Sequence, residues 1–153
     1  MTLFLFLALC MAPLLALASP GRALAAEPAG VVATLKGKGY VVRTGSLDPV
    51  AVGDHFYQGD TLVTSERGTM GVTFRDDTTM ALGPGSKVRI DEYVFAPADG
   101  QLGFAAHMQS GTAQFISGQM AKLAPEKMSF STNLMTVGIR GTRFLIDAGQ
   151  EGK

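Results

Sequence analysis

Apolar and polar residues alternate along most of this chain with a repeat of two, the period of a β-strand. Val31, Ala33 and Leu35 form the first such set before Gly37 and Gly39 interrupt it, and Tyr40 to Arg43 reads as a second strand. Gly45-Ser46-Leu47-Asp48-Pro49 is rich in turn formers and reads as a loop. Between Val50 and Thr64, two Gly-Asp pairs, Gly53-Asp54 and Gly59-Asp60, precede a Leu62-Val63 strand. The alternation is clearest from Thr69 to Arg75. Met70, Val72 and Phe74 share one face there, and Thr69, Thr73 and Arg75 the other. Met80 and Leu82 continue the apolar set beyond Asp76-Asp77-Thr78. That triplet predicts a hairpin turn, since Asp tolerates positive φ better than most residues. Gly83-Pro84-Gly85-Ser86 predicts another turn, after which Val88 and Ile90 face in while Lys87 and Arg89 face out.

Further along, Pro97-Ala98-Asp99-Gly100 turns the chain, and Phe104, Ala106 and Met108 alternate. Ser110-Gly111 reads as a turn before Ala113 and Phe115. Gln119 to Lys127 reads as a loop, and Met128 and Phe130 begin a strand. The last element, Thr136 to Asp147, carries a conflict of parity: Val137 and Ile139 are odd, Phe144 and Ile146 even. A regular strand puts the two pairs on opposite faces. A β-bulge at Gly138 and Gly141 brings all four inward and Arg140 outward. The pattern predicts an all-β fold, a compact sandwich or solenoid-like roll of about ten short strands, with no helix above one turn after residue 26.

One segment departs from this pattern. Leu3 to Ala18 is apolar throughout, with Pro13 its one helix breaker, and Ser19-Pro20-Gly21-Arg22 and Ala23-Leu24-Ala25-Ala26 follow. An apolar run ahead of an Ala-x-Ala site is the pattern of a secretory signal peptide. Residues 1–26 are therefore expected to be a helical signal peptide cleaved after Ala25 or Ala26. A membrane anchor is the rival reading, but these 16 residues fall short of the ~20 that span a bilayer. No Lys or Arg precedes the run, which is consistent with a start upstream of Met1. Cys10 lies inside the run rather than behind a small residue at its end, against a lipoprotein.

Composition narrows what remains. Residues 27–153, 127 in all, are expected to form one domain. Cys10 leaves with the leader, which excludes a disulfide, a thiol nucleophile and a Cys-ligated metal from the mature chain. A disulfide-free exported domain suits the periplasm or envelope of a bacterium. Twelve basic and 13 acidic residues after position 26 give a net charge of −1. With no basic run or stripe, nucleic acid is not expected as a partner. No cationic amphipathic segment points to a membrane surface, and no stable membrane span is expected after cleavage. Gly makes up 18 of these 127 residues, about twice average usage, as many turns between strands require.

The stretch from Gly53 to Asp147 resembles the FecR domain family of bacterial envelope proteins, and three blocks carry the resemblance. Gly59-Asp60, with Thr64 after it, is similar to the family's early Gly-Asp and strand. Val72 to Leu82, with Asp76 and Asp77 at its turn and Pro84 and Ser86 beyond, is similar to its central hairpin. Val137-Gly138-Ile139-Arg140-Gly141-Thr142-Arg143-Phe144 resembles its most specific segment, an Arg-Gly-Thr-x-Phe strand near the end. The Ser110-Gly111 turn also fits its place between the second and third blocks. The family usually has Gly where Asp77 stands and often Pro where Asn133 stands. In iron-uptake regulators of this family, the domain follows a sigma-factor-regulating segment and a transmembrane helix. Residues 1–153 show neither. The resemblance implies an envelope location and a binding or signalling role, without implying contact with a sigma factor.

Candidate chemistry adds little. Arg140, Gly141, Thr142, Arg143 and Phe144 are the candidate binding residues. Gly59, Asp60, Asp76, Asp77 and Gly138 are candidate turn and structural residues. The competing reading of the former is architectural: glycines permit a bulge, Thr142 pairs locally and Arg140 meets a carboxylate. His55 and His107 stand in no metal-ligand spacing, and no Gly-x-Ser-x-Gly elbow marks a nucleophile. Asp76-Asp77 and Asp91-Glu92 are adjacent pairs, expected to be solvated in a turn or to point to opposite faces of a strand. The six methionines from Met70 to Met135 are expected to fill the core or loops. No catalytic residue, metal or cofactor is expected. The expected function is a non-enzymatic binding or signal-relay module acting through contact with an envelope protein partner, with strand addition at a sheet edge as one route. The alternative is an envelope scaffold or adhesion module that binds glycan or cell-wall polymer. An exposed apolar edge favours the first, and a row of exposed aromatics the second. A cleft uniting a His with a Ser or a carboxylate favours an enzyme.

Overall fold

In the computed structural model, residues 26–141 and 143–149 are described; residues 1–25 of the expected leader and Thr142 lie outside them. Twelve strands run in chain order. They are β1 (Gly30–Lys36), β2 (Gly39–Arg43), β3 (Ser46–Pro49), β4 (His55–Phe56), β5 (Thr61–Thr64) and β6 (Thr69–Phe74). After these come β7 (Thr79–Leu82), β8 (Lys87–Ala96), β9 (Gln101–Ile116), β10 (Met128–Thr132), β11 (Thr136–Gly138) and β12 (Arg143–Gly149). They join in one curled, mostly antiparallel sheet. The chain is all-β, as its periodicity predicts. Among the described residues the one α-helix, α1 (Met120–Leu123), is a single turn, and no helix is long and apolar enough to cross a membrane.

The curl comes from β9. Its first half pairs with β8 on one side and, in parallel, with β10 on the other. Its second half pairs with β7 and β12. The predicted turn at Ser110-Gly111 is instead a bend within this 16-residue strand. Gly111 takes φ +84°, and a Cβ there would lie 2.3 Å from Ser86 Oγ. The bend folds the two halves toward each other, so Phe104 and Phe115, one from each half, meet edge to face at 5.3 Å. Phe56, Phe74, Phe104, Phe115 and Phe130 are all fully buried or nearly so and form a continuous aromatic spine. Such contacts add about 0.5–1.5 kcal/mol each beyond burial.

Most of the predicted inward set is buried: Met70, Val72, Phe74, Met80, Leu82, Val88, Ile90, Phe104, Ala106, Met108, Ala113, Phe115, Met128 and Phe130. Four expectations require correction. In β1 it is Val32 that is buried, while Ala33 is exposed, because the register shifts between Val32 and Thr34. The predicted loop at 45–49 is largely β3, reached from β2 by a two-residue turn in which Thr44 (φ 48°) and Gly45 (φ 84°) both take positive φ. That is the conformation favoured between twisted strands. The 119–127 loop holds α1 and a 3-10 turn at Pro125–Lys127. Finally, Thr136 to Asp147 is not one bulged strand: β11 pairs with β10, and β12 pairs with β9. The break between them, rather than a bulge, reconciles the parity. Ile139 and Ile146 are buried and Val137 and Phe144 half-buried as the chain crosses from one layer to the other.

Candidate functional site

Asp60, Thr64, Asp76, Thr78 and Ser86 of the first two sequence blocks are turned inward and satisfied within the fold. Tyr57 to Asp60 form a turn closed by the Asp60 N–H donating to the Tyr57 carbonyl at 3.1 Å. Gly59 supplies φ +89° at its third position, where a type II turn needs it. The Asp60 carboxylate is buried and accepts two hydrogen bonds from Arg43, at 2.8 and 2.6 Å, and one from the Tyr57 N–H at 2.8 Å. Arg43 also lies over the Tyr57 ring at 4.8 Å; the hydrogen bond to Asp60 holds its pKa above the ordinary value. Thr64 Oγ1 donates to the Gly83 carbonyl at 2.7 Å and accepts from the Ser86 N–H at 2.8 Å. Ser86 Oγ accepts from the Thr112 N–H at 3.1 Å, fixing the second turn against the bend of β9.

Asp76 and Asp77 part company. Asp77 is exposed, takes φ +65° at the hairpin tip and accepts a hydrogen bond from Gln119 Nε2 at 2.6 Å. Asp76 is fully buried, contrary to the solvated turn expected of it. Its carboxylate accepts from Thr78 Oγ1 at 2.7 Å, Tyr93 Oη at 3.1 Å and the Met120 N–H at 3.2 Å. Its N–H donates to the same Tyr93 oxygen at 3.1 Å. The hairpin is thus tied to β8 and to the start of α1. Burial, and then the Asp76 charge, push the Tyr93 phenol above its ordinary pKa. With one carboxylate sealed in and the other outside, the pair does not face a common cleft. Asp91 and Glu92 are both exposed, not opposed, because the register shifts between Ile90 and Glu92.

The third block behaves differently. Phe144 stacks on Phe115 at 4.9 Å and meets Phe130 edge to face at 6.2 Å, so it belongs to the core. Arg140, Gly141 and Arg143 are exposed. Among the described residues neither arginine has an ion-pair partner, so the carboxylate expected beside Arg140 is not there. A Cβ at Gly138 or Gly141 would meet nothing within 4 Å, and neither takes positive φ. No backbone or packing demand therefore explains these two glycines. Ser117 Oγ donates to the Gly141 carbonyl at 2.9 Å.

These residues lead into β12, which among the described residues pairs with β9 on one side only. An unpaired edge exposes a row of N–H and C=O groups to any approaching strand, and proteins usually blunt such edges. β4 has two residues, β11 has three, and β3 carries Asp48 and Pro49. β12 runs for seven residues and carries Leu145, 72% exposed, at its third position. Leu145 was not among the residues expected from the sequence; its odd position between inward Phe144 and Ile146 was the available signal.

The remaining candidates are dispersed. His107 Nδ1 lies 2.9 Å from Ser131 Oγ and its Nε2 3.1 Å from Asn133 Oδ1, bridging neighbouring strands β9 and β10. His55 lines a cleft of about 290 Å³ with Val31, Thr73 and Phe74, far along the sheet from His107. A cleft of about 500 Å³ is lined by Glu27, Gln58, Arg75, Tyr93, Phe95 and Gln101, with Arg75 paired to Glu27. Tyr57 lies under Arg43 and Tyr93 is buried, so the tyrosines make no exposed row. Met70, Met80, Met108, Met120 and Met128 are buried and Met135 is exposed.

The model of the family described as FecR protein matches residues 60–153. No curated protein and no solved structure matches the chain.

Proposed function

Because this chain belongs to the FecR protein family, we propose that it is a periplasmic binding and signal-relay module that acts through contact with an envelope protein at the free β12 edge. A regulatory, signal-transducing role is what the family supplies; the location and the edge belong to the proposal. Residues 1–26 serve as the export leader, cleaved after Ala25 or Ala26, and residues 27–153 form the exported domain. The reading is non-enzymatic, in keeping with a family of regulators.

One contrast carries the reading. Asp60, Thr64, Asp76, Thr78 and Ser86 of the first two blocks are buried and hydrogen-bonded inside the fold, while Arg140, Gly141 and Arg143 of the third are exposed and neither arginine has an ion-pair partner among the described residues. They stand at the entry to a seven-residue edge strand that carries exposed Leu145. Strand addition at such an edge draws affinity from main-chain hydrogen bonds and specificity from alternate side chains. Small residues beside the edge leave room for an incoming backbone.

The test is capture of envelope proteins by the full chain expressed in a bacterial host, beside its Leu145→Lys variant. A charge within an edge strand opposes pairing. Recovery of a protein partner that Leu145→Lys abolishes supports the proposal. Recovery of polymer without protein, or of a partner indifferent to Leu145→Lys, overturns it. N-terminal sequencing of the periplasmic form checks the leader, with Ala26 or Glu27 expected first.

A further inference from the structure

We infer that the β12 edge pairs with the β12 edge of a second copy of this chain, antiparallel, about a two-fold axis at Leu145. The inference rests on β12 as a docking edge and names its occupant.

The segment Arg143-Phe144-Leu145-Ile146-Asp147 is self-complementary in antiparallel order. With the axis at Leu145, Arg143 of each copy stands opposite Asp147 of the other, Phe144 opposite Ile146, and Leu145 opposite itself. Directly opposed residues share a face of the sheet. The burial alternation of β12 puts Arg143, Leu145 and Asp147 on its exposed face and Phe144, Ile146 and Ala148 toward the core. One pairing therefore forms two Arg143–Asp147 ion pairs around a Leu145–Leu145 contact outside. Inside, it joins the two apolar layers.

Neither charge finds this partner within its own chain. Four residues along a strand separate the two side chains by about 13 Å, against about 5 Å between Cβ atoms directly opposed across strands. Asp147 Oδ1 accepts the Gly149 N–H at 2.8 Å, which leaves Oδ2 for an incoming guanidinium. Leu145 is 72% exposed in one copy and is covered by its twin in the pair. The register is fixed as well. A slip of one residue sets outward residues of one copy against inward residues of the other. A slip of two sets Arg143 opposite Leu145 or Gly149 and loses both ion pairs. A single edge of this length buries less surface than a standard interface, so the dimer dissociates on dilution.

Sedimentation velocity over a dilution series of the purified full chain tests this. The expected result is a monomer–dimer equilibrium. Arg143→Asp and Asp147→Arg, each alone, put like charges at both symmetric positions and raise the dimer Kd by about tenfold or more. The double swap R143D/D147R restores opposite charges and returns the Kd to near the starting value. It carries the same loss at Gly149 as Asp147→Arg, so recovery isolates the charge pairing. Leu145→Lys also weakens the dimer, and it keeps the test open should a single reversal fold poorly. A monomer at every concentration overturns the inference, as does a dimer indifferent to all three single changes. A monomer that still captures an envelope protein through Leu145 removes the second copy and leaves the proposed function standing. A charge-sensitive dimer that captures nothing does the reverse.

Discussion

Asp77 stands at φ +65°, in the left-handed region where a side chain is strained and glycine is not. Its carboxylate accepts an exposed hydrogen bond from Gln119. Asp77→Gly is therefore expected to raise stability by about 0.5 kcal/mol, and Asp77→Val to lower it by about 1–2 kcal/mol; urea unfolding checks both. One residue away the balance is reversed. Tyr93→Phe leaves the buried Asp76 N–H and carboxylate each short of a partner, at a cost of about 1–3 kcal/mol. Tyr93 also sets a pH dependence. Its folded pKa is raised by burial and by Asp76, so the folded state keeps a proton that the unfolded chain releases above pH about 10. This contribution is fully present below that pH and is lost as pH rises beyond it. Stability of the parent protein is expected to fall with pH above about 10, and Tyr93→Phe to flatten that slope. An unchanged slope in the variant would refute the assignment to Tyr93.

At the scale of the element, the bend in β9 is the feature on which the sheet's closure depends. Gly111→Ala adds a Cβ 2.3 Å from Ser86 Oγ and 2.5 Å from Ser86 Cα, at φ +84°. The strain and the clash together are expected to cost about 3 kcal/mol or more. Gly138→Ala meets open space at an ordinary φ and is expected to be neutral or stabilising by about 0.4–1 kcal/mol. Thermal unfolding followed by circular dichroism separates the two. The pair also shows what the sequence could reveal. Met70, Val72 and Phe74 against Thr69, Thr73 and Arg75 is a local pattern, set by the period of a strand, and it survives in the structure. The hairpin at Asp76-Asp77 is local too. Ser110-Gly111 looked like a turn because Gly marks any positive φ, whether the chain reverses or only bends; which of the two occurs depends on partners elsewhere in sequence. The same holds for Val137 to Ile146, whose parity conflict was visible but whose division between β10 and β9 was not. Of the candidate site, the Arg140 to Phe144 segment was legible as a motif. The edge it leads into became visible only once β9 had taken its partners.

At the scale of the whole molecule, β9 couples everything else. One strand pairs with β8, β10, β7 and β12, and the buried apolar residues form one cluster that spans both halves of the curl. Neither half can lose β9 and keep its core. The proposed single domain is therefore expected to unfold in one cooperative step. The chain lacks Trp, but Tyr40 lies on β2 and Tyr93, buried on β8, packs against Phe74 of the other half with ring centroids 5.2 Å apart. Near-ultraviolet circular dichroism follows the tyrosine environments, and far-ultraviolet circular dichroism follows the strands. Coincident denaturant transitions from the two are the expected result. If the far-ultraviolet signal were lost in two separated steps, the halves would be independent, and the role given to β9 would fall. Two-fold pairing through β12 adds a further expectation: cooperativity stays single while the midpoint rises with protein concentration, because the dimer binds only folded chains.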